Sequence, residues 1–172
     1  MDYEGIISDE LDKDTITKNK GKKIKYKDLK PTPLRPYNIA YNLFYSQEVE
    51  EINKKTGVDI WFLERIKNII SFYKEMLQVS EKGNLARDLL FSAKQLGFSD
   101  KQIGEVFDYS WKDIRNLRKK WQILPKICQI DTLAGEFPAK TNYLYLSYYR
   151  DKNDIEKAER ERYVSSAAVL IK

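Results

Sequence analysis

The sequence predicts a mainly α-helical protein: an irregular helical bundle with two helix-turn-helix-like half-modules and an extended C-terminal strap. Three observations predict it. An apolar pattern occurs twice, first as Phe44, Val49, Ile52, Ile60 and Leu63, then as Phe98, Ile103, Val106, Ile114 and Leu117, each pair 54 residues apart. Between the copies, Ile60, Leu63, Ile66, Ile70, Tyr73 and Leu77 recur at intervals of three and four, one continuous helical face. Beyond Pro125 that spacing gives way to alternation.

Residues 1–30 carry an acidic block (Asp2 to Asp14) and then a lysine block (Lys18 to Lys30), with few large apolar groups. Such a stretch buries too little apolar surface to offset the entropy of ordering it, so a disordered linker or insertion is expected. Pro31, Pro33 and Pro36 follow, and Pro36 suits a first helical turn. Ile39, Leu43 and Phe44 then share one helix face. Ser46 is placed to cap the next short helix, through Val49 and Ile52 to Lys55.

The long stripe from Asp59 to Val79 begins with Trp61 and Phe62, which at the head of an apolar face read as core. Gly83-Asn84 closes it. Leu85, Leu89, Ala93 and Leu96 form another helix, ended by Gly97 as a left-handed cap with Phe98 folding back. Ser99 to Gln102 is a capping box. Thr56 with Asp59, and Ser110 with Asp113, each set a hydroxyl three places before a carboxylate, as a helix start needs. The expected core is thus Phe44, Ile52, Ile60, Trp61, Phe62, Leu63, Phe98, Ile103, Ile114 and Leu117, and the expected caps are Thr56, Asp59, Gly97, Ser99, Ser110 and Asp113.

The stretches Lys126 to Asp131 and Tyr143 to Leu146 read as extended, Asp151 to Arg162 as a linker or exposed helix. The apolar run Ala167 to Ile171 reads as the start of a further, truncated domain. The expected domains are a linker at 1–30, a helical domain at 31–149, and a linker with the next domain's beginning at 150–172.

Composition narrows function mainly by exclusion. The chain contains no histidine, which removes Ser-His and Cys-His nucleophile pairs, an imidazole base and His-containing zinc sites. Its one cysteine, Cys128, cannot pair within the chain and reads as a small buried apolar group. A lone thiol fits a reducing compartment, so the cytoplasm is expected. No run approaches a membrane span. A net charge of +5 is modest for 172 residues, and the signs are interspersed.

The residues alone leave two readings of the repeated module open. In a tandem helix-turn-helix nucleic-acid binder, Arg115 and Asn116 would reach base edges while Lys112, Lys119 and Lys120 held phosphates. In a packing module the same cations are simply the solvent face. The first copy presents Glu64 with Arg65 and Lys67, so the copies share no basic face. That favours packing.

The residue strings go further. Thr56-Gly-Val-Asp-Ile-Trp-Phe-Leu63, Lys94-Gln-Leu-Gly-Phe-Ser-Asp-Lys-Gln-Ile103 and Ile114-Arg-Asn-Leu-Arg-Lys119 resemble segments of the carbamoyl-phosphate synthetase large chain. So do Lys126-Ile-Cys-Gln-Ile-Asp-Thr132, Glu136-Phe-Pro-Ala139 and Thr141 to Tyr148, although Leu133 and Gly135 depart from the family pattern. The resemblance runs from Pro31 to Tyr149, and the lysine-rich segment before it reads as an insertion or a lineage-specific linker.

What the resemblance implies is the helical oligomerisation domain between two ATP-grasp halves, which form carbamate and then phosphorylate it. It implies a domain with no catalytic residue, cofactor or metal of its own. The whole enzyme would use ATP with magnesium, bicarbonate and ammonia from a glutaminase unit. The implied partners are the flanking halves and further copies of the chain, with no membrane and no nucleic acid. The likeness to the eukaryotic fused enzymes implies the pyrimidine pathway, arginine synthesis being the other route open to the family.

Overall fold

The computed structural model describes residues 6–7, 11, 25–130 and 143–155. Among them are six helices, α1 (Arg35–Phe44), α2 (Val49–Thr56), α3 (Ile60–Ser80), α4 (Arg87–Gln95), α5 (Asp100–Phe107) and α6 (Trp111–Lys120). One strand pair follows, β1 (Lys126–Ile130) and β2 (Tyr143–Ser147). The protein is mainly α-helical. The chain divides within α6 into two compact units, Met1–Arg115 and Asn116–Lys172.

Local chemistry sets each helix end, and the ends repeat. After α1, Ser46 takes a left-handed φ of 66°, its N–H donating to the Leu43 carbonyl and that of Gln47 to the Asn42 carbonyl. After α4, Gly97 (φ 88°) and Phe98 donate in the same way to Lys94 and Ala93. Both are Schellman stops. Ser46 therefore terminates α1 and does not start α2, whose N-cap is Glu48.

Gly57 and Asp108 provide the next left-handed turns, and Asp59 and Ser110 cap α3 and α6. Val49 and Asp100, Thr56 and Phe107, Ile60 and Trp111 are the matching helix bounds. Every one of these pairs is 51 residues apart. The module is a three-helix unit, α1–α2–α3 and then α4–α5–α6, repeating at 51 and not at the 54 of the apolar pattern.

The first repeat packs Leu29, Ile39, Leu43, Val49, Ile52 and Leu63 into one cluster, with Val58 and Ile66 against it. In the second repeat Leu90, Ala93, Ile103, Val106 and Ile114 are buried. Helix α3 packs on α1, α2 and α5, so it serves both repeats. Tyr73, near its middle, lies 6.3 Å from the Phe44 ring and stacks at 6.2 Å on Phe98. Phe44 and Phe98 are thus drawn to a common pillar. The Lys94–Asp100 ion pair (3.0 Å) ties the end of α4 to the start of α5, both side chains largely buried.

Part of the stretch expected to be an unstructured linker is built into this core. Leu29 is in the cluster, and Leu11 is fully buried with its carbonyl accepting from the Tyr73 hydroxyl at 2.8 Å. Asn42, fully buried, clasps the backbone of Lys27: its Oδ1 accepts from the Lys27 N–H at 2.7 Å and its Nδ2 donates to the Lys27 carbonyl at 3.0 Å. Two buried leucines, Leu11 and Leu29, plus a side-chain amide that mimics a strand neighbour, offset the ordering entropy that the lysines alone could not. The rest of the acidic and lysine blocks lies outside the described residues.

Asn42→Leu is expected to destabilise the protein by about 2 kcal/mol, because it strands a backbone donor and acceptor in a partly buried place. Chemical denaturation measures the loss, and hydrogen exchange should show the Lys27 amide opening first.

In the second unit, β1 and β2 pair antiparallel with Cys128 opposite Tyr145. Cys128 is buried. The outer edge of β1 is covered by residues expected to be linker: Asn153 Oδ1 accepts from Ile127 N–H, Asp154 Oδ2 accepts from Gln129 N–H, and Asp154 N–H donates to the Ile127 carbonyl. That pairing blunts an otherwise open edge. Leu133, Gly135 and the run Ala167 to Ile171 lie outside the described residues.

Candidate functional site

The expected core and cap residues divide into those that pack and those that do not. Phe44, Ile52, Leu63, Phe98, Ile103 and Ile114 are buried, and Leu117 is half-buried. Ile60, Trp61 and Phe62 are not core: they are 45%, 57% and 58% exposed. Helical geometry gives the reason. Leu63, Ile70 and Tyr73 define the buried face of α3, and at ~100° per residue Phe62 and Trp61 point about 100° and 200° away from Leu63. Ile60 is on the stripe but sits at the first helical residue, where it stays exposed.

Among the caps, Asp59 accepts from Trp61 N–H at 2.8 Å. Ser99 and Gln102 close a reciprocal capping box. Ser110 and Asp113 do likewise: Ser110 Oγ accepts from Asp113 N–H at 3.2 Å, and Asp113 Oδ2 accepts from Ser110 N–H at 3.3 Å. Thr56 does not cap a helix start. It is the last residue of α2, its hydroxyl donating to the Ile52 carbonyl at 2.7 Å and accepting from Val58 N–H at 3.1 Å. The 51-residue register makes Asp59, not Thr56, the counterpart of Ser110. Ser110→Ala is expected to cost about 1 kcal/mol and Thr56→Ala less, a ranking that thermal melts can check.

The first turn of α3 is the most apolar exposed turn on any described helix. The Trp61 and Phe62 rings meet edge to face at 4.9 Å, and the Arg65 guanidinium lies 5.0 Å from the indole centroid. At the matching place in the second repeat stands Trp111, 49% exposed, with the Lys112 ammonium 5.6 Å from its ring. Sequence reading missed this surface because it took the aromatic residues as extensions of the stripe.

The basic helix α6 exposes Lys112, Arg115, Lys119 and Lys120. Arg118 is turned inward, one guanidinium nitrogen donating to the Tyr148 hydroxyl at 3.0 Å and to the Ile123 carbonyl. A shallow pocket of about 500 Å³ is lined by residues 26–31, Arg35, Gln47 and Lys55. Asp28 at its rim is paired with Lys30 at 3.0 Å, whose hydrogen bond holds the carboxyl below its usual range. Among the described residues no group of His, Cys, Asp or Glu side chains is close enough to hold a metal, and no helix is long and apolar enough to cross a membrane. What the described surface offers is contact area: two aromatic helix starts and a cationic helix.

Comparison with known proteins agrees with that geometry. Residues 4–122 match a family described as the carbamoyl-phosphate synthetase large chain, oligomerisation domain. The match takes in the lysine-rich segment and ends before the strands. The chain is 45% identical to a carbamoyl phosphate synthase large chain from Sulfurisphaera tokodaii, over 73% of this chain and 12% of that protein. It is 39% identical to the multifunctional protein CAD of Squalus acanthias, over 73% of this chain and 6% of that one. A large chain from Archaeoglobus fulgidus matches at 32% over 92% of this chain. The chain thus spans about an eighth of the large chains it matches. With the family match covering both helical repeats, the chain belongs to the family of carbamoyl-phosphate synthetase large-chain oligomerisation domains.

Proposed function

We propose that this domain is the connector of a carbamoyl-phosphate synthetase large chain, holding two ATP-grasp halves in register. One half makes carboxyphosphate and carbamate; the other phosphorylates carbamate. The domain itself binds no cofactor and supplies no catalytic group. The whole enzyme consumes ATP with magnesium, bicarbonate and ammonia from glutamine, in the cytoplasm, and assembles with its glutaminase unit and with further copies.

The observation that carries this reading is the family match over residues 4–122 within relatives about eight times longer. The physical support is α3, one 21-residue helix packed against elements of both repeats. A hub of that kind transmits position rather than chemistry, since a packed core deforms little.

The test replaces residues 31–120 of the full-length large chain by a flexible linker. Overall synthesis should fall at least about tenfold, a loss of effective concentration between the halves, while each half's ATP reaction stays within about twofold. Unchanged overall synthesis overturns the reading, and so does the loss of both partial reactions.

A further inference from the structure

We propose that Ile60, Trp61 and Phe62 seat this domain on a flanking ATP-grasp half of its own large chain, in an apolar socket edged by a carboxylate. The proposal rests on the connector reading and adds to it the surface and the chemistry of the contact.

Three features make this turn a recognition element and not incidental exposure. It is preorganised: Asp59 caps the Trp61 N–H at 2.8 Å, Leu63 beside it is fully buried, and the two rings brace each other edge to face at 4.9 Å. Rigid aromatic anchors lose little entropy on docking and dominate interface energetics. Its rim carries one exposed cation over the indole face, Arg65, while Asp59 holds the Trp61 N–H and Glu64 pairs with Lys67, so a carboxylate on the partner completes Arg65. Finally, the second repeat lacks it. Trp111 stands there alone, followed by Lys112 and Asp113, where the first repeat continues with Trp61 and Phe62.

The size of the patch selects the occupant. With aromatic side chains of 150–250 Å², the exposed parts of these three residues come to roughly 300 Å². A stable contact between free molecules needs about 800 Å² on each partner, so this patch cannot hold a second copy by itself. A neighbour on the same chain is present at an effective concentration near millimolar, enough to fill a small apolar patch. The long relatives, of which this domain is about an eighth, carry such neighbours in the same chain.

The experiment is hydroxyl-radical footprinting of the full-length large chain beside the 172-residue chain, with a photo-cross-linking phenylalanine analogue at position 62. In the full-length chain Trp61 and Phe62 should react at least about fivefold more slowly, as residues in a desolvated contact do, and the cross-link should map to a flanking half. Equal reactivity in the two proteins overturns the proposal. So does a cross-link to a second copy, or protection that rises with concentration in the 172-residue chain. Ile60→Lys with Trp61→Lys should abolish the cross-link from position 62, while the 172-residue variant keeps its thermal midpoint; a variant that unfolds means the turn is core, which also overturns it. The connector reading fails separately, in the linker-replacement assay, whatever the footprint shows.

Discussion

Ile114→Ala is expected to lower stability by about 2–5 kcal/mol, the range for emptying a buried isoleucine site. Ile114 is fully buried, and the same place in the first repeat is filled by Leu63, also fully buried. These two residues lie one turn into the third helix of each module. Trp61→Ala removes a much larger side chain, yet it should cost no more than about 1 kcal/mol, because most of that side chain faces solvent. Lys119→Ala should stay within about 0.5 kcal/mol. Urea titrations of the three variants give the ranking directly. A Trp61 variant as damaging as the Ile114 variant would place the tryptophan in the core and remove the docking surface with it.

That contrast marks how far the fold was legible in sequence. Helix existence and order could be read, because Ile60, Leu63, Ile66, Ile70 and Tyr73 cannot share a face in any other conformation. The register of the repeat could not. A shift of three residues is close to one helical turn, so the apolar pattern matches itself almost as well at 54 as at 51. The backbone discriminates where the apolar pattern does not. The left-handed residues Ser46 and Gly97, then Gly57 and Asp108, fall at one spacing only. Two of those four are not glycine, and a serine or aspartate in that conformation leaves little trace in composition.

The same limit governs the surface. Trp-Phe at the start of a stripe is read as core, since periodicity reports which residues could face inward but not where the covering helices stop. Asn42 shows the converse. As a polar residue between Tyr41 and Leu43 it carries no apolar signal, yet it is fully buried and organises the chain from Lys27. Its counterpart at the 51-residue spacing is Ala93, so no such clasp exists in the second repeat, and internal comparison could not have revealed it.

Gly104→Ala reverses the usual rule for helices. Alanine in place of a mid-helix glycine normally stabilises by roughly 0.8–1.0 kcal/mol. Gly104 lies in α5, and a Cβ added there would stand 2.5 Å from the Tyr109 carbonyl oxygen and 3.4 Å from its carbon. The obstacle is backbone, so no side-chain rotation relieves it. Nor is the turn free to yield: the Tyr109 N–H donates to the Gly104 carbonyl at 2.9 Å, Asp108 is left-handed at φ 60°, and Ser110 is committed to its capping box with Asp113. Overpacking at such a site costs about 1–3 kcal/mol, which outweighs the propensity gain, so the variant is expected to be less stable by about 1–2 kcal/mol. The first repeat solves the same contact differently. Asn53 stands at the equivalent position, and its Nδ2 donates to the Val58 carbonyl, the counterpart of Tyr109, at 2.8 Å. One module binds that carbonyl with a side-chain amide, and the other lets it approach a bare Cα. Denaturation of Gly104→Ala beside the parent decides the matter. A gain of about 1 kcal/mol, as propensity alone would give, means that the turn between α5 and α6 relaxes and that its three anchors are weak.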